Sequence, residues 1–183
     1  MSAVDALNKE QINEFHEVLS ANYSSIYGDL FKIGCNLGLR IGDLLKLKYK
    51  DININDREIV LTEQKTRKKK IVRLNSQALI YIDKRRNEYP DDRYIFQVHS
   101  NRQSGEPISR TSVCRVFKEV GDSLGLHVAS HSMRKSRGKV LYDAGVPLEK
   151  IAKVLNHSNT ASTLQYLGIT RAEVLNTYDE FEL

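Results

Sequence analysis

The periodicity of apolar residues is helical along the chain except in one short stretch, and this limits the folds that the sequence can adopt. Residues 9–20 and 23–37 carry apolar side chains at helical spacing, which predicts two amphipathic helices, and Gly38 is placed to end the second. A third short helix, RIGDLLKLKY, begins at Arg40. Three short runs rich in Ile and Val follow, DININ, REIVLTE and KIVRL, and they predict antiparallel strands joined by hairpin turns.

Helical spacing resumes after these strands. Ser76 is a good N-cap for a helix over about 77–88, and Ser109 for a helix that runs to about Leu124. Residues 99–108 are expected to form a polar loop. Further helices are predicted over about 131–144, 148–155, a short segment reaching Tyr166, and 171–178. A sheet this small and local cannot be doubly wound, so the predicted class is α+β, mainly helical with a small three-stranded antiparallel sheet.

Composition and charge exclude several classes of protein. A chain of 183 residues, 40% of them hydrophobic, suits one compact domain with a buried core. No run approaches the length of a membrane span, and the N-terminus lacks a secretory signal pattern. Two cysteines without a CxxC pair favour a reducing cytoplasm. The net charge of +5 and the pI near 9.1 are compatible with an anionic partner.

Two basic residues in the first half of the chain stand where a different side chain would be expected. Arg40 begins a helix, where the macrodipole disfavours a cation. A surface pair with Asp43, three residues on, would explain it structurally. Lys65 lies near the turn between two predicted strands, and an exposed lysine that protects a sheet edge is the ordinary interpretation.

The second half of the chain contains a further set of polar residues. His131 and Arg134 are three apart at a helix start and therefore share one face. His157 follows an amphipathic helix, whose last carbonyls it could satisfy. Tyr166 comes nine residues later and by itself would be read as a core or rim residue. His127 and His131 are four apart, but no HExxH motif or carboxylate set accompanies them, so no metal site is predicted.

In their order and spacing these residues resemble the catalytic domain of the tyrosine recombinases, the phage integrase family. The resemblance rests on GLRIGDLL, the hairpin KT, HSMR, LNHS and TLQY, and runs from about residue 25 to the C-terminus. The segment from His131 to Ile169 is the most specific and is similar to integrases of Gram-positive phages and mobile elements. Where the family usually has Gly, Glu, His and His, this chain has Asn156, Asp43, Lys135 and Gly168. None of these departures removes a catalytic group.

The resemblance implies a role for each residue in cutting and rejoining DNA through a 3′-phosphotyrosyl intermediate. Tyr166 would be the nucleophile, and Arg40 and Arg134 would clamp the non-bridging phosphate oxygens. Lys65 would protonate the leaving 5′-oxygen, His131 would assist proton transfer at the phenol, and His157 would hydrogen-bond a phosphate oxygen. Asp43 is expected to orient Arg40. Because side chains neutralise the phosphate, this mechanism needs no metal and no nucleotide cofactor.

Partners follow from the same resemblance. Double-stranded DNA is the expected substrate, with self-association into a tetramer on two DNA sites and a possible accessory factor. Backbone contacts are expected from a basic group that comprises Arg67, Lys68, Lys69, Lys70, Lys135 and Arg137.

We expect residues 1–183 to form one catalytic domain, with a short N-terminal helix or remnant over 1–20 and a tail over 171–183. The tail would dock on a neighbouring protomer or pack on its own domain. The family's core-binding domain is expected to be absent, because at most about 20 residues precede the resemblance. The alternative is a DNA-binding or regulatory fragment of the same fold that is inactive without that domain.

Overall fold

A computed structural model describes residues 4–65, 67–100 and 103–169. The chain divides into two compact units, with the boundary after Arg137. The first unit contains helices α1 (Lys9–Asn22), α2 (Ser25–Leu37), α3 (Ile41–Leu45), α4 (Ser76–Glu88) and α5 (Arg110–Ser123), and strands β1 (Ile52–Asn53), β2 (Glu58–Thr62), β3 (Lys69–Arg73), β4 (Gln97–Ser100) and β5 (Gln103–Pro107). Helix α6 (Ser130–Asp143) crosses the boundary, and α7 (Leu148–Leu155) and α8 (Thr160–Leu167) belong to the second unit.

The core of the first unit is built around three phenylalanines from three helices. Phe15, Phe31 and Phe117 are fully buried, and their ring centroids lie 4.5 to 5.8 Å apart. Tilted and edge-on contacts of this kind are the favoured geometries for aromatic pairs. The amphipathic pattern of α1, α2 and α5 therefore converges on one apolar centre.

The predicted three-stranded sheet is confirmed, in the order β1-β2-β3 with both pairs antiparallel. Ile59 lies opposite Val72 on the buried face, whereas Val60 lies opposite Ile71 on the exposed face. The sheet's hairpin turn at residues 63–68 is the part that bears on the functional site.

A buried charge cluster joins α2 to α4. The Asp29 carboxylate, which is fully buried, lies 3.1 Å from Lys84 Nζ and 3.5 Å from Arg85 Nη1. Arg85 is only 2% exposed, and its Nε donates to the carbonyl of Ile95 at 2.6 Å.

Three local predictions are wrong. Asn75, not Ser76, caps α4, because its side chain accepts from the backbone N–H of Ala78. The third helix ends at Leu45, and a separate 3₁₀ turn covers Tyr49–Asp51. Residues 99–100 and 103–107, which we predicted as part of a polar loop, form strands. They contribute to the antiparallel pair β4–β5. These strands pair through their backbones but lack the alternation of apolar residues by which a strand is recognised in a sequence.

The second unit packs its helices closely around a glycine. A Cβ at Gly138 would lie 2.9 Å from Leu167 Cδ2 and 3.0 Å from Leu155 Cδ1, so a side chain there would force these leucines apart. The helix predicted over 171–178 and the docking of the tail lie outside the described residues. Among the described helices, none has the length and apolar content required to cross a membrane.

Candidate active site

Arg40 stands at the turn between α2 and α3. Gly38 ends α2 in the left-handed conformation (φ 62°, ψ 25°), which glycine adopts without steric cost. Arg40 is then the extended N-cap of α3. Its side chain is 25% exposed, and Nη1 lies 3.2 Å from Oε1 of Glu63, which is buried. The guanidinium is thus partly exposed and is held on one side by the Glu63 carboxylate.

Arg134 on α6 reaches the same turn. It is 3% exposed, and its Nη1 donates to the carbonyl of Gly38 at 2.8 Å, two residues before Arg40. The fold thereby brings together two arginines that are far apart in sequence.

His131 lies one helical turn before Arg134 and is exposed at the surface. Desolvation lowers the pKa of its imidazole below 6.5, and the positive charges of Arg110, Arg134 and Arg40 lower it further. Both effects favour the neutral form of the ring, which can accept a proton.

Lys65 occupies the exposed turn of the β2–β3 hairpin. The turn is closed by backbone hydrogen bonds, from Glu63 N–H to the Lys68 carbonyl (3.0 Å) and from Arg67 N–H to the Glu63 carbonyl (2.9 Å). Lys70, which we predicted as a DNA-backbone contact, is half-buried on β3. Burial is the largest cause that lowers the pKa of Lys70. The Glu63 carboxylate opposes this effect, whereas the positive charges of Arg134 and Arg40 lower the pKa further.

Asp43 does not make the predicted contact with Arg40. Its Oδ1 accepts the backbone N–H of Gln64 at 2.8 Å, and the Gln64 side chain donates to the Gly42 carbonyl at 2.5 Å. Asp43 therefore connects the hairpin to α3 by a hydrogen bond. The carboxylate that pairs with Arg40 is that of Glu63.

The other predicted DNA contacts divide into two groups. Arg67, Lys68 and Lys69 are exposed around the hairpin turn, where a backbone phosphate could reach them. Lys135 donates to the carbonyl of Val4 at 2.9 Å, and Arg137 is half-buried, which lowers the pKa of its guanidinium. The Lys135 contact therefore lies within the protein, and Arg137 is partly withdrawn from solvent.

The second unit holds the remaining two predicted residues. His157 and Tyr166 contact each other edge-on, with ring centroids 5.1 Å apart, and His157 Nδ1 lies 3.0 Å from the Thr163 hydroxyl. Asn156, where the family usually has glycine, ends α7 in the left-handed conformation (φ 48°, ψ 50°). Asparagine is the residue that replaces glycine most readily in such a cap, so this departure preserves the backbone before His157.

Two residues near the site were missed in the sequence. Glu63 gave no signal, because its burial depends on the packing of the hairpin against α3. Arg110 gave one, because it is a cation at the first position of α5, the same anomaly that marked Arg40. Within the parts of the chain that the structure describes, no group of three or more His, Cys, Asp or Glu side chains is arranged to hold a metal.

Comparisons with known proteins agree with these observations. A family model described as the phage integrase family matches residues 5–173. The probable integrase/recombinase YoeC of Bacillus subtilis is 30% identical over 153 residues, which cover 83% of this chain and 82% of YoeC. The tyrosine recombinase XerA of Pyrococcus horikoshii is 24% identical over 146 residues, which cover 80% of this chain but only 51% of XerA.

The fold is also shared with a solved structure. The Tn1549 transposon integrase in complex with a circular intermediate DNA superimposes with a TM-score of 0.77 at 18% identity, covering 99% of this chain and 67% of that one. At this identity the likeness establishes the fold.

Proposed function

The chain belongs to the phage integrase family, and from this we propose that it is a site-specific DNA recombinase that cuts and rejoins DNA through a 3′-phosphotyrosyl intermediate. The observation that carries the proposal is the pairing of Arg134 with the turn that bears Arg40, beside a neutral His131. Two guanidiniums that meet at one turn suit a phosphodiester, because a guanidinium can donate two parallel hydrogen bonds to its oxygens.

In the proposed step, the Tyr166 hydroxyl attacks the phosphorus and the bond from phosphorus to the 5′-oxygen breaks. His131 accepts the phenolic proton, which its neutral ring allows. Arg40 and Arg134 stabilise the charge that builds up on the non-bridging oxygens. The product is a phosphotyrosyl ester that a 5′-hydroxyl can later attack, which rejoins the strand.

Two further residues complete the proposed mechanism. Lys65, on the exposed turn, gives a proton to the leaving 5′-oxygen. His157, whose ring is oriented by Thr163 and Tyr166, hydrogen-bonds a phosphate oxygen. Since side chains carry out each proton transfer and neutralise the phosphate, we propose that the reaction proceeds without a metal ion.

The partners are part of the same proposal. Double-stranded DNA is the substrate, which the basic hairpin residues Arg67, Lys68 and Lys69 would hold by their charge. Strand exchange requires four protomers on two DNA sites, and an accessory factor would assist their assembly. The cytoplasm suits a DNA-acting protein whose two cysteines, Cys35 and Cys114, are both free.

Covalent capture on DNA tests the proposal directly. The protein is incubated in EDTA with supercoiled plasmid and with DNA flanking its own gene, and the mixture is quenched with SDS. We expect a protein–DNA adduct that Tyr166→Phe abolishes. Tyr142→Phe, a tyrosine of the second unit outside the proposed site, is the matched control and should form the adduct normally.

Salt-sensitive DNA binding without an adduct would instead support a DNA-binding fragment that needs a further domain, and supplying a core-binding domain would then be the next measurement. An adduct that forms equally with Tyr166→Phe would assign the nucleophile to another residue. An adduct that forms only when Mg²⁺ is present would refute the metal-free reaction but not the proposed nucleophile.

A further inference from the structure

Glu63 is a buried carboxylate in a site suited to binding an anion. It directly follows β2, is 1% exposed, and its Oε1 lies 3.2 Å from Nη1 of Arg40. Lys70 on the neighbouring strand also interacts with it electrostatically. A buried charge is strongly unfavourable unless it is paired, so Glu63 restricts where the Arg40 guanidinium can lie.

The backbone of Glu63 is held as firmly as its side chain. Its N–H and carbonyl close the hairpin turn with Lys68 and Arg67. The next residue, Gln64, is bonded to Asp43 and Gly42 on α3. The backbone around Glu63 is therefore held in the hairpin and bonded to α3, the helix that begins after Arg40, and this restricts the position of the carboxylate.

An arginine side chain has many rotamers, and confining it before the substrate arrives lowers the cost of binding the transition state. Only Nη1 of Arg40 is engaged by Glu63, so the guanidinium retains donors for phosphate oxygens. Lys65 lies two residues after Glu63 on the same turn. The contact between Glu63 and Arg40 therefore joins Arg40 to the hairpin that carries Lys65.

We infer that Glu63 is a positioning residue for Arg40, one that aims the guanidinium at the scissile phosphate and couples it to the Lys65 hairpin. The inference rests on the proposed function for the role of Arg40. It differs from simple charge competition, in which Glu63 would only repel DNA.

The test compares Glu63→Gln with Glu58→Gln, which removes one negative charge from the same hairpin at a half-buried position at the far end of β2. Adduct formation is measured at saturating DNA, and non-covalent affinity is measured separately with Tyr166→Phe as background. We expect Glu63→Gln to slow adduct formation at least about tenfold while affinity stays equal or tightens. Glu63→Asp should restore part of the rate, and in an Arg40→Lys background Glu63→Gln should have little further effect.

Three outcomes would overturn the inference. The first is a rate of adduct formation for Glu63→Gln that equals the rate for Glu58→Gln. The second is a faster rate than wild type, which would indicate charge competition. The third is a parallel loss of rate, affinity and thermal stability, which would indicate a structural role. If wild-type protein forms no adduct, the proposed function fails, and the inference is then decided by NMR of the arginine side chains. Glu63→Gln should shift the Arg40 Nε–H signal, identified by its loss in Arg40→Lys, and an unchanged signal would overturn the inference.

Discussion

Replacing Asp29 by asparagine should destabilise the protein strongly, because it leaves the Arg85 charge buried without a counter-ion. Asp29 is fully buried and Arg85 is 2% exposed, whereas the Lys84 side chain is 47% exposed. Breaking a buried pair costs about 3–5 kcal/mol, and an exposed partner contributes about 0–1 kcal/mol. Since Arg85 Nε keeps its bond to the Ile95 carbonyl, we expect the lower end, about 3 kcal/mol.

Urea denaturation followed by far-UV circular dichroism measures this loss. A change of about 3 kcal/mol corresponds to a fall in Tm of about 6–12 °C for a chain of this size. Lys84→Met is the matched control and should cost about 1 kcal/mol or less. Asp29→Leu combined with Arg85→Met should recover most of the stability, because it removes both buried charges together.

Two results would refute this reasoning. A cost below about 1 kcal/mol for Asp29→Asn would mean that Arg85 finds solvent or another partner when Asp29 is neutral. An equal cost for Lys84→Met and Asp29→Asn would assign the dominant interaction to the exposed lysine.

Three further predictions concern the titration, reactivity and charge of single residues. The pKa of His131 is lower in the folded state than in the unfolded state, so its contribution to stability is complete above pH 6.5 and is lost as the pH falls through the folded-state pKa. In urea titrations, the wild-type protein should therefore lose more stability between pH 7.5 and 5.5 than His131→Gln does. Burial raises the pKa of the Cys35 thiol, so a maleimide should label Cys114 and leave Cys35 unreacted until the protein unfolds; equal labelling in the folded protein would contradict this. Lys69→Ala should reduce the slope of log affinity against log salt by about 1 on duplex DNA, and an unchanged slope would mean that Lys69 contacts no phosphate.

Much of the fold could be predicted because its signals are local. Each helix or strand that buries one face shows this in the spacing of its own apolar residues. This holds for the helical spacing in α1, α2 and α5 and for the Ile and Val residues of β2 and β3. The polar hairpin β4–β5 carries no such signal, since its backbone pairs without apolar alternation. Asn75 and Ser76 are both good caps by residue type, and only the geometry of the chain selects Asn75.

By itself the sequence determined the fold class, the family and the order of the candidate residues, because these depend on motif spacing and residue type, which are properties of the sequence alone. The residue type of Asn156 is compatible with the left-handed conformation that the structure shows at the end of α7, since asparagine tolerates the conformation that glycine favours. Only the tertiary structure decided which carboxylate pairs with Arg40 and which lysine is half-buried among the arginines. Asp43 is closer to Arg40 in sequence and is also buried, but its Oδ1 accepts the backbone N–H of Gln64. Glu63 is the partner of Arg40 because the hairpin places its carboxylate 3.2 Å from Arg40 Nη1, and a buried charge is costly unless it is paired.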